Sequence, residues 1–202
     1  MENVVYREMW YEKFDAPLIF KAIEFSVKAH EGQYRKGLRV PYVYHPMDVG
    51  RILMDIECPT EIVVAGILHD TVEDTHVTLE ELRENFGPTV AGLVEEASEP
   101  DEIISWEERK NYTIEHLKTV SEEALYVICA DKFDNIRSIR LDMEKMGSSL
   151  WDHFSRPIEA QQWYYESIAQ VMESRIKEEP LLSLLQRYKR EMQKVFGNLF
   201  NK

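Results

Sequence analysis

Ile62-Val-Val-Ala-Gly-Ile-Leu68 runs directly into His69-Asp70 and then, past Thr71-Val72, into Glu73-Asp74. Seven residues without a polar break leave no face for water, so the segment reads as a helix at the centre of a core. The acids at its end are the anomaly. A spacing of four sets Glu73 beneath His69 and Asp74 beneath Asp70, which puts four ionisable groups on one side of that helix. Three carboxylates held close and partly out of water repel one another and are driven towards protonation; a bound cation relieves this. A second apolar run, Leu125 to Ala130, repeats the pattern. It reads as another buried helix, whose carboxyl end delivers Asp131, with Asp134 and Asn135 on the next turn.

Helical signals dominate on either side. Asp15-Ala-Pro17 caps a segment with apolar residues at spacings of three and four, running to about Ala29. A turn-rich stretch from Glu31 to Pro41 follows, and Pro46 opens a short helix to about Met54. Thr60 is the expected cap of the helix carrying the first apolar run. Thr78-Leu-Glu-Glu81 and Ser105-Trp-Glu-Glu108 are capping boxes, and Gly87 is a stop signal. Ser121 starts the helix of the second run, Ser155-Arg-Pro157 starts a long one ending before Pro180, and a last amphipathic helix reaches about Phe196. Strand alternation is nowhere sustained, and no repeat or linker divides the chain. The reading is one all-α domain over residues 1–202.

His45-Pro46 adds an imidazole at the edge of a helix. His45, His69, Asp70 and Asp131 together make a mixed nitrogen and oxygen set suited to Mn²⁺, Fe²⁺ or Zn²⁺ and poor for Ca²⁺. His30, His76, His116 and His153 have no comparable setting and read as structural or solvated.

Taken together these residues resemble the HD phosphohydrolase superfamily, whose helical core carries a metal site of the form His…His-Asp…Asp. Five ordered blocks narrow the match: His30-Glu-Gly-Gln-Tyr-Arg-Lys36, Pro41-Tyr-Val-Tyr-His-Pro46, Leu68-His-Asp-Thr-Val-Glu-Asp-Thr75, Phe86-Gly87 and Ala130-Asp-Lys-Phe-Asp-Asn-Ile-Arg137. They are similar to the hydrolase domain of the Rel/Spo family, which removes the 3′-pyrophosphate of the alarmone (p)ppGpp. The resemblance implies a stand-alone small alarmone hydrolase with an HD-domain fold. It implies Mn²⁺ on His45, His69, Asp70 and Asp131, and water activation by Glu73 and Asp74. It also implies nucleotide contacts from Arg35 and Lys36, a sugar or phosphate contact from Asn135 and Ser138, and a pocket wall at Tyr164. Four positions depart from the family pattern. Ser98-Glu99 stands where Thr-Lys is common, so a substrate-facing cation is expected to be missing; Asp134 replaces a His, and Lys132 an Arg.

Composition sets the limits. The chain has 202 residues and a formal net charge of −13, which argues against non-specific nucleic-acid binding and requires any polyanion site to bring its own cations. Lys28, Arg35, Lys36 and Arg39 against Glu31 make residues 28–39 net +3. No run reaches the ~18 apolar residues of a membrane span, and the amino terminus shows no signal-peptide core. Cys58 and Cys129 lie in apolar surroundings, as reduced thiols of a cytoplasmic protein do. The expected partner is a small guanine nucleotide, and homo-oligomer formation is left open. Alternative readings are an HD-type phosphohydrolase for another phosphorylated nucleotide, a non-catalytic alarmone-binding protein, and a helical interaction module. The module leaves both acid clusters unexplained.

Overall fold

The computed structural model describes residues 13–35, 39–99 and 105–197. Among these, nine α-helices follow one another: α1 (Ala16–Ala29), α2 (Tyr44–Asp55), α3 (Thr60–Leu68), α4 (Thr71–Asp74), α5 (Leu79–Ala97), α6 (Trp106–His116), α7 (Glu122–Met146), α8 (Ile158–Arg175) and α9 (Leu181–Phe196), with a 3-10 segment, Gly147–His153, after α7. The extended pairing among the described residues is one isolated bridge, Tyr34 to Pro41, which closes the loop ahead of α2. No helix among them is long and apolar enough to cross a membrane.

The apolar run of α3 is buried from Ile62 to Leu68 and lies against α1, α2, α5 and α7. Two glycines let α2 and α3 cross closely. A Cβ on Gly66 would strike the side chain of Leu53, and one on Gly50 would strike Ile67. The short α2–α3 connection makes the pair antiparallel, so His45 in the first turn of α2 comes beside His69 at the end of α3, ring centroids 5.1 Å apart. α7 completes the frame, packing on α2, α3, α5 and α9.

The helix boundaries show where local signals held. Asp15, Ser121, Thr78 and Ser105 all cap as their chemistry requires, and both capping boxes form with reciprocal bonds. Gly87 adopts φ 85° and interrupts α5, which resumes at Pro88. Others moved. α2 begins at Tyr44, two residues before Pro46. Thr60 is the first helical residue rather than the cap, because its hydroxyl is drawn off to accept from the backbone N–H of Asp15 at 3.0 Å. The acid cluster is not on one straight helix. α3 ends at Leu68, and Asp70 (φ −91°, ψ −5°) starts the separate turn α4. Asp131 is not at a helix end either. Phe133, Ile136 and Ile139 continue the buried stripe, so α7 runs on to Met146 and holds Asp131 mid-helix. Cys58 and Cys129 are buried free thiols.

Candidate active site

His45, His69 and Asp131 converge from α2, α3 and α7, with one potential ligand atom of each within 4.8 Å of the others. The two imidazoles are oriented by their outer nitrogens. His69 Nδ1 donates to the Gly66 carbonyl at 2.9 Å, and His45 Nδ1 donates to Asp134 Oδ2 at 2.7 Å. Both partners can only accept, so each ring turns Nε2 inward. His45 Nε2 lies 3.1 Å from Asp131 Oδ1. His69 Nε2 lies 3.0 Å from Asp70 Oδ1 but is buried with no hydrogen-bond partner. An orphaned nitrogen among carboxylates is the donor set of a divalent transition ion, and these residues fit one. Asp70 stands at the flank of the cluster, its Oδ2 3.4 Å from His45 Nε2 and accepting from the Tyr42 hydroxyl at 2.5 Å.

Electrostatics follow this geometry. Burial disfavours the charged rings, but Asp131, Asp134 and Asp70 raise His45 above the ordinary imidazole range, and Asp70 and Asp131 raise His69 further. Burial likewise opposes ionisation of Asp70 and Asp131, yet the charge of His69 on the first and of Lys132 on the second holds both below the carboxylate range. Lys132 Nζ donates to Asp131 Oδ2 at 2.6 Å. Glu73 goes the other way: burial, then the charges of Asp70 and Glu99, push it up to about 7. Asp74, exposed as a residue, is also raised by partial desolvation of its carboxyl and by Asp70.

A cavity of about 330 Å³ opens on this cluster. Glu73, Asp74, Asn135 and Tyr164 line it, together with Asp70 and the three converging residues. Ser138 does not. It lines a separate cavity of about 230 Å³ with Arg35 and Asp134, because it sits one turn beyond Asn135, on the other side of the bonded wall that Arg35 makes with Asp134 and Asn135. Arg35 donates to Asp134 at 3.0 Å and to Asn135 at 2.8 Å, and Asn135 donates in turn to Asp131. Lys36 lies outside the described residues.

Several wall residues had no site role in the reading of the sequence. Trp106, Arg109, Lys110, Thr113 and His116 of α6 all line the cavity, at spacings of three and four that mark one helical face. That stripe was the available signal. Lys110 Nζ lies 4.9 Å from the Tyr164 ring centroid and 2.8 Å from Glu99 Oε1. A lysine of α6 therefore stands beside Glu99, where the sequence led one to expect no cation. His116 is structural, Nε2 bonding the Glu96 carbonyl at 3.0 Å, but it forms part of the wall. His30 is buried, bonds Gln33 at 2.8 Å and packs on Tyr42; Gln33 donates to the Asp74 carbonyl, which ties the loop to the acid pair. His76 and His153 are exposed.

An HD domain family profile matches residues 22–156, which hold the whole cluster and its acid pair. The chain belongs to the HD domain family. Among relatives of this HD protein, a Xenopus tropicalis protein named guanosine-3′,5′-bis(diphosphate) 3′-pyrophosphohydrolase MESH1 is 40% identical over 129 residues, 62% of this chain and 72% of the relative. A crystal structure of a Listeria monocytogenes EGD-e protein superposes with a TM-score of 0.70 at 39% identity, covering 76% of the HD chain and 99% of its own. Another solved structure, described as a metazoan ortholog of SpoT that hydrolyzes ppGpp and plays a role in starvation responses, matches with TM-score 0.71 at 27% identity, covering 86% and 94%.

Proposed function

We propose that this HD protein hydrolyses the 3′-pyrophosphate of (p)ppGpp to pyrophosphate and GDP or GTP, with manganese as its ion. The observation that carries the reading is one cavity combining a nitrogen and oxygen metal cluster, a carboxylate titrating near 7 and half-buried cations. The activity named for the Xenopus relative supports the choice of nucleotide. A divalent ion held by His45, His69, Asp70 and Asp131 would supply Lewis-acid polarisation of a phosphoryl oxygen and would acidify water.

The protein's own groups do the rest. In hydrolysis a water oxygen bonds to the phosphorus next to ribose O3′, the P–O3′ bond breaks, and O3′ takes a proton. Glu73, anchored by the backbone N–H of Glu99 at 3.2 Å and titrating at about 7, is matched to accepting the water's proton at neutral pH and giving one up to O3′. Asp74 orients the water. Lys110 and Arg109 offset phosphate charge, Tyr164 shapes the pocket, Asn135 meets the sugar or phosphate, and Arg35 and Lys36 contact the nucleotide. In this reading the chain is a single catalytic domain working in the cytoplasm on a small nucleotide, and its charge of −13 makes nucleic acid a poor partner.

Product analysis tests it. Purified protein with Mn²⁺ and (p)ppGpp should release pyrophosphate in equal amount to GDP or GTP, with GTP itself a poor substrate. Orthophosphate released from GTP as fast as pyrophosphate from (p)ppGpp would leave only a general HD-type phosphohydrolase. Tight binding without turnover would favour an alarmone sensor.

A further inference from the structure

We propose that Glu99 is a built-in counter-anion in the phosphate seat of the cavity: the nucleotide must exchange with its carboxylate on Lys110 and Arg109, and that exchange sets affinity for polyphosphorylated ligands. The inference rests on the polyphosphate reading above.

The cavity's Lys and Arg side chains, among the described residues, are Arg109, Lys110 and Lys132. Lys132 is committed to Asp131. The other two both face Glu99, at 2.8 Å for Lys110 Nζ and 3.8 Å for Arg109. A polyanion entering this acid-lined space meets those cations already paired. The Glu99 side chain is 9% exposed and only half satisfied. Its Oε1 accepts from Lys110 and from the Thr113 hydroxyl at 2.5 Å, while Oε2 is buried with no hydrogen-bond partner. A phosphate brings more charge and more acceptor oxygens to the same donors, so it displaces a single carboxylate. The carboxylate of Glu99 acts on Glu73 by charge alone, and the backbone of Glu99 anchors it. The N–H holds Glu73 Oε2, so changing the side chain leaves the anchor of Glu73 in place.

The bland alternative is that Glu99 only ties α6 to the end of α5. The two readings predict opposite signs. If Glu99 is a tie, Glu99→Gln loosens the wall and weakens binding; if it is a counter-anion, the same change frees the cations and tightens binding. Inorganic pyrophosphate titrated calorimetrically into manganese-loaded protein reads this directly. Glu99→Gln is expected to bind it about tenfold tighter than wild type, the scale of one screened charge at this range. Its KM for (p)ppGpp should fall with it, more than kcat changes. Lys110→Gln should weaken binding by a similar factor, and Glu99→Asp, which restores the charge, should return towards wild type. Unchanged or weaker pyrophosphate binding by folded Glu99→Gln overturns the proposal. Should that variant fail to fold, unchanged affinity in Lys110→Gln overturns it instead. Pyrophosphate carries no nucleoside, so tightening without (p)ppGpp turnover keeps the seat and removes the alarmone, whereas turnover with unchanged pyrophosphate affinity does the reverse.

Discussion

The two walls of the cavity are built in different ways. The metal wall comes from α2, α3 and α7, where His45, His69 and Asp131 are themselves buried and each is fixed by neighbours inside the core. The opposite wall is α6, none of whose residues is buried. Its Lys110 and Arg109 are both paired with Glu99, and Lys110 also lies over the Tyr164 ring. A core-built wall fixes geometry, as a metal cluster requires. A surface-built wall supplies charge, and charge can be exchanged for that of a ligand. Substitutions on the first should therefore break chemistry, and on the second adjust binding.

The largest effect is expected at the metal wall. His69→Ala removes the orphaned Nε2 and should reduce both bound manganese and turnover to background, with the helical circular dichroism retained. Full manganese content in this variant would dismantle the cluster as described. Next comes Glu73→Gln, which keeps shape and loses basicity. Its kcat should drop by about 10²–10⁴-fold while nucleotide still binds. The pH profile supplies the sign. A base held at about 7 is active when deprotonated, so the wild-type rate should rise as pH increases through that value, and a rate that falls there would make Glu73 a proton donor. The same shift has a stability consequence. The folded value lies above the ordinary carboxylate value of 4.5, so Glu73 costs stability as pH rises from 4.5 to about 7, and the substitution should raise the neutral-pH melting temperature of metal-free protein.

A smaller effect belongs to Asp134, which meets the cluster at the outer nitrogen of His45. Asp134→Asn should weaken manganese affinity by about 10–100-fold, the usual scale for an outer partner of a histidine ligand. Added metal should then restore much of the rate, which loss of a direct ligand would not allow. The smallest effect should come from the far wall. Ser105→Ala removes the cap of α6, costing about 1 kcal/mol of helix stability. It should raise KM with kcat and manganese content nearly unchanged; a loss of bound metal would show that the two walls are not separate.

The division between the walls is also the division in what could be read beforehand. His69-Asp70 and Asp131 stood out because seven and six apolar residues ran into them, and burial next to charge is a conflict visible in one dimension. Asp15, Thr78, Ser105 and Ser121 were equally legible, since a cap is a contact within four residues. The bend between α3 and α4 and the extension of α7 past Asp131 were not, because they depend on what packs alongside. Arg109 and Lys110 carried only the pattern of an exposed helix, and Ser138 was expected to make the same contact as Asn135 yet lines another cavity.

What the sequence determined by itself was the helical class, most caps and the residues that a metal would want, because periodicity, capping and the cost of buried charge are local or pairwise effects. What only the tertiary structure decided was which residues meet. The glycine crossing of α2 on α3 brings His45 to His69, and Asp134 rather than solvent fixes the His45 ring. Glu99 meets Lys110 because the end of α5 and the face of α6 border one cavity. Those contacts join segments far apart in sequence, and only the packing of one helix on another determines their distances.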